Sequence, residues 1–157
     1  PQFQFTMGVI YMYTPLKAKS RPNRVTQAVV AVALATCSIL ALAGEIKVTL
    51  SGAQEVPPVT TSASGSGSIV INNDKSVSGS ITTMGIAATA AHIHMAPTGA
   101  NGGVIVPFVK SGENSWSPQP GAKLTDEQYA SFKAGNLYVN VHSAANKGGE
   151  IRGQLKP

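Results

Sequence analysis

The chain has 157 residues, 12 Lys and Arg against 7 Asp and Glu, and a formal net charge of +5. That length allows one ordinary domain with an appendage; 12% charged residues argue against a coiled coil, and 43% hydrophobic content against wholesale disorder. The basic balance raises nucleic acid as a partner, but its placement argues against one, because Lys17, Lys19, Arg21 and Arg24 supply four of the five net charges.

Those four cations lie in residues 1–43, which contain no acidic residue. The basic cluster ends at Arg24, and an apolar run from Val25 to Ala43 follows, broken only by Thr26, Gln27, Thr36 and Ser38. The run leaves through Ala41-Leu-Ala43 before Gly44-Glu45. A basic start, an apolar middle and a small-x-small exit predict a secretory signal peptide cleaved after Ala43. The expected location is therefore secreted, periplasmic or cell-envelope. The run is also near the ~20 residues a membrane span needs. Membrane contact is accordingly expected only through residues 1–43, where that leader is retained. Cleavage leaves a domain over residues 44–157 with eight basic and seven acidic residues, and it removes Cys37, the only cysteine. The expected mature domain has neither disulfide nor thiolate.

Glu45 to Ser51 alternates with period two, the mark of a half-buried strand. A loop containing Val56-Pro-Pro-Val59 follows. Ser66 to Ile71 and Ser76 to Thr83 flank the turn Asn72-Asn-Asp-Lys75 as two more strands. Ala87 to Met95, Val104 to Val109, Leu137 to His142 and Glu150 to Leu155 bring the expected number to about seven. Short strands separated by Gly/Asn turns predict an all-β antiparallel sandwich or barrel. One segment departs from the pattern. Thr125 reads as an N-cap, Asp126 and Glu127 as a first turn, and Gly135 as a stop, predicting a short helix near 125–134. Its Tyr129 and Phe132, three residues apart, are expected to pack on the core. Trp116 is read as a structural plug, with a surface contact as the alternative.

His92 and His94 point to one face of a strand, with Cα atoms roughly 6.5–7 Å apart, close enough to converge on one ion. Ile93 between them takes the core side. In Tyr138-Val-Asn-Val-His142, Val139 and Val141 face the core, which leaves Asn140 and His142 on the other side. Ile93-His94 is followed by Ala100-Asn-Gly-Gly103, and Val141-His142 by Ala145-Asn-Lys-Gly-Gly149. Two matched hairpin units are expected to place His94 and His142 at equivalent ends of the sheet. With His92 they form a candidate three-nitrogen site for copper or zinc, with one position open. Glu150 is a candidate additional ligand, and pairing with Arg152 is its competing role. A blue-copper centre is excluded for the mature domain by its lack of cysteine. No nucleophile elbow or phosphate loop is present, so no catalytic residue is assigned.

Leu50-Ser-Gly-Ala-Gln-Glu-Val-Pro-Pro58, Ala90-Ala-His-Ile-His94, Gly99-Ala-Asn-Gly102, Leu137-Tyr-Val-Asn-Val-His142 and Gly148-Gly-Glu-Ile-Arg-Gly-Gln-Leu155 occur in that order. Together they resemble the CHRD domain, the repeated module first described in chordin, over residues 46–155. The resemblance implies a secreted or envelope β-sandwich of immunoglobulin-like character, with no assigned catalytic activity. His92-Ile-His94 is also similar to the copper-binding strand of Cu,Zn superoxide dismutase. The chain lacks the further histidines and the disulfide of that family, so dismutase activity is not expected. The readings that follow are an exported binding module with a mononuclear histidine site, a metal-free structural or protein-interaction module, and a copper-dependent oxidant-handling enzyme. The expected partner is an extracellular protein or matrix component, not nucleic acid.

Overall fold

The computed structural model describes residues 44–157, so the expectations for the leader and Cys37 lie outside the described residues. Alternation sets the strands. In β1 (Glu45–Ser51), Ile46, Val48 and Leu50 turn inward while Glu45, Lys47 and Thr49 face solvent. β2 (Ser64–Ile71) and β3 (Val77–Met84) follow as an antiparallel pair, then β4 (Ala88–Met95) and β5 (Gly103–Lys110). β6 (Ser115–Pro118), α1 (Asp126–Lys133), β7 (Leu137–Ser143) and β8 (Ile151–Leu155) complete the order.

The eight strands form a closed barrel in the order β1-β2-β3-β6-β5-β4-β7-β8, with every pairing antiparallel. Closure removes the free edges an open sheet would expose. The all-β expectation therefore holds, and the barrel is the form it takes. The strand count rises by one, because Ser115–Pro118 pairs with both β3 and β5. Four residues, two of them serines and the last a proline, give too short an alternation to read as a strand. Trp116, 6% exposed, is its anchor in the core.

Leu50, Ile69, Ile81, Ile93, Leu137, Val139, Val141, Ile151 and Leu155 fill the interior without solvent exposure. Burying each such side chain contributes roughly 1.5–3 kcal/mol. α1 carries the expected Thr125 cap as a full capping box. The Thr125 hydroxyl accepts from Gln128 N at 3.2 Å, and the Gln128 amide oxygen accepts from Thr125 N at 2.9 Å. Phe132 is buried and Tyr129 packs against the core, as its three-residue spacing predicts. No helix among the described residues is long and apolar enough to cross a membrane.

The outer face of β4, β7 and β8 is also covered. β7 is buried at Leu137, Tyr138, Val139, Asn140, Val141 and Ser143, on both of its sides. The loops on either side of Pro57 and Gly99 lie over this face, joined where Asn101 Nδ2 donates to Val56 O at 2.7 Å. Polar residues beneath them form a second buried layer, and the histidines sit at its margin.

Candidate metal centre

Strand register brings the three histidines together. β4 and β7 run antiparallel, with His94 opposite Tyr138, His92 opposite Asn140 and Ala90 opposite His142. His92 therefore stands midway, and His94 and His142 lean toward it from either side. This corrects one expectation. The two hairpin units do not bring their histidines to equivalent ends of the sheet, because antiparallel pairing rotates one unit against the other. Proximity survives the rotation: one ligand nitrogen from each histidine lies within 4.8 Å of the others.

The loops orient the rings. His94 Nδ1 lies 3.0 Å from Gly102 O, and His142 Nδ1 lies 2.9 Å from Lys147 O. A carbonyl only accepts, so each Nδ1 carries the proton and each Nε2 keeps its lone pair. This is the arrangement in which an outer acceptor fixes the tautomer of a metal-binding imidazole. The Ala-Asn/Gly-Gly loops of the two units thus supply the carbonyls. Gly102 has a second role, since its N–H donates to Tyr138 Oη at 3.1 Å. A Cβ at Gly102 would collide with the Met95 carbonyl.

His92 Nδ1 lies 3.2 Å from His142 Nε2. In the metal-free protein the His92 Nδ1–H donates to that lone pair. Two nitrogens bound to one tetrahedral or trigonal ion at ~2.0–2.1 Å would lie roughly 3.3–3.6 Å apart. The pair is thus close to ligand spacing once the His92 proton resides on Nε2. His94 Nε2 is buried and has no hydrogen-bond partner. An orphaned buried acceptor is costly, by about 1–3 kcal/mol, and a cation placed between the three rings would satisfy it.

Burial favours the neutral form of His92 and His94. Burial pushes His92 below the usual imidazole range, and the neighbouring His142 and His94 push it further down. His94 is lowered chiefly by burial; the Gly102 carbonyl opposes this, while His142 and Arg152 add to it. Neutral imidazole is the metal-binding form.

Glu150 lies outside the cluster. Its carboxylate accepts from Thr61 Oγ1 at 2.8 Å, and hydrogen bonds from Ser143, then Thr61 and Asn146, hold it below the ordinary carboxylate range. No ion pair joins it to Arg152 among the described residues. Arg152 points instead beneath the loops, 1% exposed, donating to Asn101 Oδ1 at 3.3 Å, Pro97 O at 3.4 Å and Gln154 Oε1 at 3.3 Å. Its guanidinium carbon sits 3.4 Å over the centre of the Tyr138 ring, and that ring stacks on His94 at 4.9 Å and 8°.

Glu55 and Tyr138 belong to the same buried face and were not singled out by the histidine spacing. Glu55 Oε1 accepts from Asn140 Nδ2 at 2.7 Å beneath the Val56-Pro57 loop. Burial raises its carboxyl to about 7, against the opposing pull of Arg152, the Val56 N–H and Asn140. Period two on β7 puts Tyr138 and Asn140 on the face of His142, and that signal was available. Nothing local in the sequence marks the loop glutamate as their partner.

The sequence model described as the CHRD domain matches residues 46–155 of the chain. No curated protein and no solved structure matches it.

Proposed function

Because the chain belongs to the CHRD domain family over residues 46–155, we propose that it is an exported β-barrel binding module holding one copper or zinc ion. His92, His94 and His142 are the ligands, His92 through Nδ1 and the other two through Nε2. The observation that carries this reading is the buried, unpartnered His94 Nε2 beside two further imidazole nitrogens. A metal-free interaction module would leave that atom unsatisfied. The basic cluster, apolar run and Ala41-Leu-Ala43 exit support export, and an extracellular partner is the corresponding expectation.

An ion with three imidazole ligands and an open position supplies a Lewis acid or a one-electron centre. The residues of the chain do the rest. Gly102 O and Lys147 O hold the protons on Nδ1 of His94 and His142, and Tyr138 fixes the plane of His94. The test is to load the protein with zinc, with copper in air and with copper under ascorbate, desalt it, and count the metal. Retention of one equivalent in at least one condition, lost in His94→Ala, is expected. Sub-stoichiometric retention in all three overturns the reading.

A further inference from the structure

We infer that the Arg152–Tyr138–His94 stack selects the charge of the bound ion, making the centre a copper(I) site that discriminates against divalent metals. The inference rests on the three-histidine reading and goes beyond it by naming the oxidation state and the residue that sets it.

Strand order builds the stack. β7 lies between β4 and β8, so Tyr138 has His94 on one side and Arg152 on the other. The guanidinium stands 3.4 Å from the tyrosine ring centre and the imidazole 4.9 Å from it. A planar cation on an aromatic face is a favourable contact, and burial strengthens it. Arg152 is held there by three neutral acceptors, Asn101 Oδ1, Pro97 O and Gln154 Oε1, and by no carboxylate within ion-pair distance among the described residues. The arginine stays charged, and at 1% exposure water screens it poorly.

The ligand set contributes no compensating charge. Three neutral imidazoles surround the ion position, and neither carboxylate nor thiolate belongs to the cluster. The ion therefore faces the Arg152 cation with its whole charge, countered in part by the Glu55 carboxyl that also feels Arg152. With the tyrosine and imidazole rings stacked between the two charges, a separation on the order of 10 Å and an effective dielectric near 20 weaken binding on the order of tenfold for each unit of ion charge. Coordination number favours the same ion. Three nitrogens complete a trigonal shell for copper(I), whereas copper(II) takes a tetragonal set of four or more ligands. Zinc, also divalent, meets the same repulsion as copper(II).

The test compares copper affinities in the full protein. Copper(I) is titrated anaerobically against bicinchoninate under ascorbate, and copper(II) against glycine in air, for the wild type, Arg152→Gln and Arg152→Lys. In the wild type, bound copper should be half-reduced at a potential above that of free copper in the same buffer. Arg152→Gln should tighten copper(II) about tenfold more than copper(I), and Arg152→Lys, which keeps the charge, should shift their ratio much less. A wild-type potential below that of free copper overturns the inference without any variant, as does an unchanged ratio in folded Arg152→Gln. Copper retained with either result leaves the histidine site standing. Binding of neither oxidation state, with zinc also lost on desalting, overturns the site itself.

Discussion

Asn140 shows at one residue how the polar layer is held together. Its amide nitrogen donates to Glu55, its amide oxygen is buried without a partner, and Gly149 leaves the room both groups occupy. The pair makes pH an informative probe. The Glu55 carboxyl rises from the ordinary 4.5 to about 7 on folding, so the folded state binds its proton more tightly. Its stabilising contribution is full below 4.5 and is lost as pH rises through about 7. His92 and His94 act with opposite sign below 6.5, because their folded states bind the proton less tightly than the unfolded chain. Subtracting the metal-free Glu55→Gln protein from the metal-free wild type isolates the carboxyl. Urea midpoints should then show a wild-type deficit that grows between pH 5 and 8. A pH-independent difference would count against the burial of this group. The period-two pattern placed Asn140 and His142 on one face, but Glu55 reaches Asn140 across a loop of irregular backbone, which carries no periodicity to read.

Elements explain what the histidine motif alone could not. An H-x-H strand was legible, as was the core role of the valines around Asn140, because alternation depends only on backbone geometry. That β4 and β7 are neighbours, and in which register, was not, since sequence spacing does not say which strands pair. That register puts His92 between the other two histidines along the strands and leaves the three rings 5.0–5.9 Å apart. The loop of the second unit depends on Gly149, which has φ of +137° and lies against Asn140 and Glu55. Gly149→Ala adds strain at a conformation that L residues avoid and a Cβ that meets both side chains. A thermal-unfolding experiment should show Gly149→Ala losing stability, and a metal titration should show weaker binding through the displaced Lys147 carbonyl. Unchanged values of both would contradict this account of the loop. β6 was illegible for a different reason, being short and rich in serine, yet it closes the barrel between β3 and β5. Trp116→Ala should cost about 3–5 kcal/mol in urea unfolding, the range for removing a buried aromatic side chain. A loss below 1 kcal/mol would place Trp116 outside the core.

For the whole molecule, the barrel is a rigid frame with two differently filled sides. The interior is aliphatic and sets stability. The outer face of β4, β7 and β8 buries Glu55, Asn140, Tyr138 and Arg152 beneath two loops, at a desolvation cost that only partly complete hydrogen bonding offsets. Such a face is an expensive way to build a barrel wall, and it is intelligible as the support of a site. The excess of basic residues lies in residues 1–43, and the barrel domain is almost balanced. The experiment that tests the central claim most directly is metal counting on the desalted protein beside His94→Ala, with copper(I), copper(II) and zinc supplied separately. One equivalent of copper(I) held by the wild type and lost by the folded variant is the predicted result. A wild-type protein that retains no ion, or a His94→Ala protein that binds as tightly as the wild type, would contradict it.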